Sequence, residues 1–110
     1  MSNTISYNLR TGLGMLTLHI TDDKPPRILS VIGKNGAIER GYAEALCRLA
    51  YRVLELGGDL DDIAKELVGI TDNTALVKVS SLADAFGQIC RKAKREQADK
   101  EKAQAQGNGP

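Results

Sequence analysis

The sequence predicts an α+β domain in which an antiparallel β-hairpin or a three-stranded sheet packs against two to three helices, followed by a helical or disordered polar tail. Three observations predict it. Apolar residues recur at every second position in the first third of the chain, at every third or fourth position after Gly36, and lose their periodicity after Ala93. We therefore expect one domain over residues 4–94 and a polar charged tail over residues 95–110.

Three segments have the pattern of strands. Residues 4–9 and 15–21 each alternate apolar with polar side chains, which is typical of strands with one covered face. Residues 22–26 hold two aspartates and two prolines, which favour a turn. The third segment, residues 27–33, is apolar on both faces, so it requires a cover on each side. A partner subunit is one way to supply the second cover.

The longest helix is predicted over about residues 38–56, with Gly57 and Gly58 ending it. We expect its apolar stripe to face the core, Tyr42 included, with stacking of Tyr42 on a base as the alternative. The stripe consists of Tyr42, Leu46, Leu49, Val53 and Leu56, flanked by Ala45, Ala50 and Leu54.

Two capping boxes predict two further helices. Asp59 with Asp62 opens the first, and Ser81 with Asp84 opens the second. Between them, residues 70–79 are compatible with a brief strand or an extended linker. The tail has high helix propensity but no apolar face, so it is either a solvated helical extension or disordered.

Composition excludes several classes of protein. The net charge is +1, and the excess of basic residues near the C-terminal end is mixed with acidic ones without interleaved aromatics, which argues against a nucleic-acid partner. No apolar run is long enough to cross a bilayer and no leader pattern is present, so we expect a soluble, cytoplasmic protein without a membrane partner. Cys47 and Cys90 lie singly in helical patterns and are predicted to be buried hydrophobes.

No catalytic residue, metal ligand or cofactor site is predicted. His19 has no acidic or cysteine neighbour at ligand spacing, and the carboxylates around Asp59 are explained by helix capping. No serine or cysteine lies in a nucleophile-elbow pattern. We therefore expect a protein that is not an enzyme.

Cations and small polar groups cluster at the turns instead. A strand that ends on the glycines of the turn at 33–36 and runs into a helix exposes backbone N–H groups and a positive helix end, which suits an anion. The same features occur in any tight strand-to-helix connection, so both interpretations stay open. The predicted ligand-binding residues are Arg10, Thr11, Lys34, Asn35, Gly36 and Arg40. Such a set suits a small molecule that carries phosphate.

Several motifs, in order and at matching distances, resemble those of the TSCPD domain. This small module is found alone or at the C-terminal end of cobalamin-dependent ribonucleotide reductases. The resemblance covers about residues 9–93 and rests on Arg10-Thr11-Gly12-x-Gly14, Ile32-Gly33-Lys34-x-Gly36, Ala43-Glu44-Ala45-Leu46-x-Arg48-Leu49, Gly57, Ile63, Leu67-x-Gly69-Ile70 and Ser81-x-x-Asp84-Ala85.

The chain departs from the family at its motif cysteines. Leu13, about Asp72, and Leu82 occupy the positions where the resemblance implies cysteine, and Ala83 replaces the motif proline. Thiolate metal binding or redox exchange therefore cannot be transferred to this chain.

The resemblance and the turn residues together give two functional expectations. The first is a homo-oligomer that binds an anionic, nucleotide-like small molecule without reaction, in the manner of small viral proteins that sequester cyclic-nucleotide or ADP-ribose-derived signals of bacterial immunity. The second is an accessory or regulatory subunit of a ribonucleotide reductase or a related nucleotide enzyme, docked through the helical stripe and the basic tail.

Overall fold

The computed structural model describes residues 3–33, 37–70 and 81–107. Three strands precede three helices in the chain, which confirms the predicted α+β class. The elements are β1 (Thr4–Thr11), β2 (Gly14–Thr21), β3 (Ile28–Ile32), α1 (Ala37–Glu55), α2 (Leu60–Leu67) and α3 (Leu82–Gly107).

The strands form one antiparallel sheet in the order β1-β2-β3, so the three-stranded alternative is the observed one. Because side chains alternate across a strand, the register divides the residues into two faces. The row Tyr7, Leu18 and Ser30 belongs to the inner face, whereas the neighbouring row Ser6, His19 and Leu29 belongs to the outer face.

The inner face carries the core. Leu16 and Leu18 are fully buried there, and Phe86 of α3 is the largest of the fully buried side chains among the described residues. α3 contacts β1, β2, α1 and α2. Gly87 allows its close approach to α2, because a Cβ at this position would lie 2.9 Å from the Cβ of Leu67.

The outer face of the sheet is polar on one side and apolar on the other. The Ser6 hydroxyl is hydrogen-bonded to Nδ1 of His19 at 2.7 Å, so this histidine belongs to the sheet surface. On β3, Leu29 and Val31 are 67% and 52% exposed. The predicted second apolar face of the third strand is thus present, and no other described segment of this chain covers it.

Helix α1 follows its predicted boundaries, but its orientation corrects the prediction. Ala50 and Leu54, which flank the predicted stripe, are buried against the core together with Ala43, while Tyr42 is 61% exposed and therefore not a core residue. Of the other stripe residues, Leu49 and Leu56 are 67% and 78% exposed, Val53 is 36% exposed, and only Leu46 packs partly against the core. The physical reason is that α1 packs mainly on β3 at the sheet edge, where small alanines permit close contact.

The predicted capping box of α2 is confirmed. The Asp62 N–H donates to Asp59 Oδ1 at 3.0 Å, and the Asp59 N–H donates to Asp62 Oδ2 at 2.8 Å. The first of these bonds lowers the pKa of the Asp59 carboxyl, and Lys94 of α3 lowers it further. Before the cap, Gly57 has a φ of +99°, a conformation that favours glycine at the end of α1.

Helix α3 continues through residues 95–107 of the predicted tail and ends at Gly107. Of the two predicted alternatives, a helical extension or a disordered segment, the helical one is observed there. The tail's first turn is attached to the sheet, because the Tyr7 hydroxyl donates to Glu96 Oε2 at 2.6 Å. Burial and this carboxylate both raise the pKa of the Tyr7 phenol. The Lys92 ammonium lies 6.0 Å from the centre of the same ring.

Two further predictions concern the segment between α2 and α3 and the absence of a membrane-spanning segment. The brief strand or linker predicted between α2 and α3 falls on residues 70–79, of which all but Ile70 lie outside the described residues. Among the helices that the structure describes, none is long and apolar enough to cross a membrane.

A matched pair of leucines on either side of Gly14 tests the assignment of the inner face. Leu16→Ala should lower the free energy of unfolding by about 2–5 kcal/mol, because it leaves a cavity under α3. Leu13→Ala, at a side chain that is 43% exposed, should change it by less than about 0.5 kcal/mol. Chemical denaturation measures both, and equal losses would contradict this assignment.

Candidate functional site

The sheet brings two of the predicted site segments to the same end. Arg10 of β1 lies opposite Met15 of β2, and the Gly33 N–H donates to the Met15 carbonyl oxygen from the other side at 3.4 Å. Arg10 and Gly33 are thus two strand spacings apart, about 10 Å. Lys34, Asn35 and Gly36 come directly after Gly33 in the chain but lie outside the described residues.

Arg10 and Thr11 have different surroundings although they are adjacent. Arg10 belongs to the outer face and is exposed, whereas Thr11 belongs to the inner face and is 5% exposed. The Thr11 hydroxyl donates to the Gly14 carbonyl oxygen at 2.8 Å and accepts from the Leu13 N–H at 3.0 Å. Thr11 therefore shapes the turn between β1 and β2, and Arg10 is the residue of this pair that can reach a ligand.

Arg40 lines a groove between α1 and β3, which we call the β3–α1 groove. Its volume is about 440 Å³. The helix wall is built from residues three and four apart in α1, and the strand supplies the floor. The lining residues are Ile28, Leu29, Ser30, Val31, Ile32, Arg40, Ala43, Glu44 and Cys47.

The strand in this groove is the edge of the sheet. Arg27 and Gly33 are hydrogen-bonded to β2, so the alternation of an antiparallel ladder turns the backbone groups of Ile28, Ser30 and Ile32 away from β2 and toward the groove. The Ser30 backbone and hydroxyl accordingly form hydrogen bonds with the Cys47 thiol. The groove thus combines an apolar floor, backbone groups, the Arg40 guanidinium and the Glu44 carboxylate, which is paired with Arg48.

Cys47 is not activated by this position. Burial raises the pKa of its thiol more strongly than the hydrogen bonds from Ser30 lower it. Burial also raises the pKa of Cys90 to about 12. Both thiols are free and are expected to stay protonated at neutral pH, as inert side chains do.

A second, larger cleft was not predicted from the sequence. It has a volume of about 670 Å³ and lies between the turn after β2, the start of α2 and the middle of α3. Lysines and carboxylates both line it, and the Lys94 ammonium lies 3.5 Å from Asp59 Oδ2. Its carboxylates outnumber its lysines four to three, so this cleft is less suited to an anion than the β3–α1 groove, whose charged side chains are one guanidinium and one carboxylate.

The motif Ser81-x-x-Asp84 connects three parts of the chain. Asp84 Oδ1 accepts from the Gly69 N–H at 2.8 Å, and Asp84 Oδ2 accepts from Gln88 Nε2 at 2.7 Å. Ser81 Oγ accepts from the Asp84 N–H at 3.0 Å, and the same hydroxyl donates to the Ile70 carbonyl oxygen. The motif therefore caps α3 and holds the end of α2 against it, which is a structural task.

The comparison with family models now identifies the class. The model of the TSCPD domain matches residues 2–94, and the chain therefore belongs to the TSCPD family, as the motifs predicted. Neither the curated proteins nor the solved structures give a significant match. This member has leucine at two motif positions, Leu13 and Leu82, and within the described residues no group of histidines, cysteines or carboxylates could hold a metal ion.

The buried carboxylate of the motif can be tested by mutation. Asp84→Ala should lower the free energy of unfolding by about 1–3 kcal/mol, because the Gly69 N–H loses its acceptor. Asp84→Asn should lower it less, since an amide oxygen still accepts a hydrogen bond. Asp99→Ala, at an exposed position of α3, is the control and should change it by less than about 0.5 kcal/mol. A structural role would be refuted if Asp84→Ala behaved like this control in urea denaturation.

Proposed function

We propose that this TSCPD protein is a homo-oligomer that binds an anionic, nucleotide-like small molecule in the β3–α1 groove and releases it unchanged. Its biological role would be to sequester a cyclic-nucleotide or ADP-ribose-derived immune signal, as a viral anti-defence protein does. The single observation that carries the proposal is the position of Arg40, in the wall of an apolar groove one helical turn after the glycine-containing turn.

The groove has the dimensions and chemistry for such a ligand. Pockets for small molecules have volumes of about 300–1,000 Å³ and are mostly apolar with a few polar groups, and the β3–α1 groove falls within this range. The aliphatic floor suits a base or ribose, while the Arg40 guanidinium offers a bidentate contact to phosphate. Arg10 would supply a further donor at the end of the sheet where Gly33 lies, and the sequence adds Lys34, Asn35 and Gly36 as predicted ligand-binding residues.

The chemistry of the groove favours binding over reaction. Nucleophilic catalysis by a cysteine requires a thiolate, and burial opposes ionisation of Cys47. The ligand should therefore be recovered intact after incubation with the protein.

Oligomerisation is supported by the apolar surface that this chain leaves open. Leu29 and Val31 on β3 and Leu49 and Leu56 on α1 are more than half exposed. Exposed apolar residues grouped in this way on two elements are characteristic of protein–protein interfaces. The same observation supports the alternative function, an accessory subunit of a ribonucleotide reductase or a related nucleotide enzyme, because a helical stripe can also dock on a different protein.

Charge reversal at the three predicted cations tests the ligand site. Arg40→Glu, Arg10→Glu and Lys34→Glu should each abolish binding, because they place a negative charge against phosphate, while leaving the melting temperature of the free protein nearly unchanged. Arg95→Glu, at an exposed position of α3, is the matched control and should bind normally. A thermal-shift screen with mono-, di- and cyclic nucleotides and ADP-ribose derivatives provides the readout, since ligand at a hundred times its dissociation constant stabilises by about 2.7 kcal/mol.

The two functions predict different results in this screen. If the purified protein binds none of these compounds, the ligand site is refuted, and specific capture of ribonucleotide reductase would favour the accessory subunit. Normal binding by all three variants would place the ligand elsewhere. Conversion of an added compound, followed by chromatography, would contradict the absence of catalysis.

A further inference from the structure

The exposed stripe of α1 has the spacing of a coiled-coil interface. Tyr42, Leu46, Leu49, Val53 and Leu56 follow one another at intervals of four, three, four and three residues, the repeat that keeps apolar side chains on one line between two packed helices. We call these five residues the α1 seam. Four of them are exposed, with Leu56 at 78% and Leu49 at 67%.

The spacing of the seam residues is nearly the same in both directions along the helix from Leu49. Tyr42 and Leu56 lie seven residues before and after Leu49, and Leu46 and Val53 lie three residues before and four residues after it. A face with this symmetry is complementary to an antiparallel copy of itself, because a two-fold axis near its middle brings each large side chain against another. A different partner protein would not require such symmetry.

The charges that flank the seam are also compatible with self-association. Arg48 Nη2 lies 2.9 Å from Glu44 Oε1, and Arg52 Nη1 lies 3.9 Å from Glu55 Oε1. A surface that meets its own copy must not carry an excess of one sign, because like charges brought together oppose association. Both arginines at this border have a carboxylate partner on the same helix, so neither sign is in excess around the seam centre.

The face of α1 that packs on the chain's own core is not available to a partner, whereas the seam is. Ala43, Ala50 and Leu54 are already buried against the chain's own core. Arg40 lies two residues before Tyr42, about 200° around the helix, so pairing at the seam leaves its side chain on the groove side. The seam and the ligand site can therefore be tested separately.

We propose that α1 pairs in an antiparallel orientation with α1 of a second copy, across a two-fold axis near Leu49. The inference rests on the homo-oligomer proposed above but not on its ligand, and it places the dimer interface on α1 rather than on the outer face of the sheet.

A pair of equally exposed leucines distinguishes the two surfaces. Leu49→Asp should raise the dissociation constant of the dimer about a hundredfold or more, because it buries an unpaired carboxylate. Leu29→Asp is the matched control, since Leu29 is also 67% exposed but lies on β3, and it should leave the dimer intact. Light scattering over a dilution series measures the mass, and circular dichroism verifies that both variants are folded.

Thiol cross-linking tests the orientation in a Cys47→Ala background, with Cys90 retained because it is fully buried. A short bismaleimide should link Leu49→Cys chains into dimers, but not Tyr42→Cys chains or Leu56→Cys chains alone. In an antiparallel pair, equivalent ends of the seam are about 20 Å apart along the axis. A mixture of Tyr42→Cys and Leu56→Cys chains should give linked dimers, because each end meets the opposite end.

Three outcomes would overturn the inference. Self-linking of Leu56→Cys chains would mean a parallel pair. Dissociation by Leu29→Asp with no effect of Leu49→Asp would place the interface on the sheet and leave the homo-oligomer standing. A monomeric mass for the unmodified protein would refute the dimer, while nucleotide binding by that monomer would preserve the ligand site.

Discussion

The packing of α3 across the inner face of the sheet is the contact on which the rest of the structure depends. Phe86 and the fully buried residues of β2 meet there, and α2 is held against the same helix through Gly87 and the Asp84 carboxylate. A three-stranded sheet has little apolar area, and α3, which contacts two strands and two helices, supplies a third of the buried apolar residues that the structure describes. Even the beginning of the polar tail contributes, since Glu96 accepts a hydrogen bond from Tyr7.

Because α3 covers the inner face of the sheet, part of the apolar surface of α1 and β3 stays outside the core. With α3 occupying the inner face, α1 is left at the edge of the sheet and packs on β3 through its alanines. Two apolar surfaces remain outside the core, one on α1 and one around Leu29 and Val31 of β3. The β3–α1 groove lies between the two elements that carry them, so association of chains at either surface would take place next to the candidate ligand site.

The family relationship is carried by structure more than by sulfur chemistry. Thr11 and Gly14 close the first turn, and Ser81 and Asp84 join α2 to α3 through hydrogen bonds to Gly69 and Ile70. These contacts do not involve a cysteine. The motif residues can therefore be retained for the fold in a chain that has Leu13 and Leu82 at the motif positions where the resemblance implies cysteine.

The sequence by itself determined the elements and their ends. Alternation located the strands, the capping boxes at Asp59 and Ser81 located two helices, and the ordered motifs identified the family. These features are local, since each depends on residues within a few positions of one another.

Only the tertiary structure decided which surface each element buries. Hydrophobic periodicity shows that α1 has a large apolar face, but it cannot distinguish burial in the chain's own core from burial by another molecule, and here the smaller alanine face is the one inside. In the same way, Arg10 and Thr11 are both polar residues at a turn, yet strand alternation exposes the first and buries the second. Burial depends on contacts between residues far apart in the chain, and that information appears only once the elements are packed together.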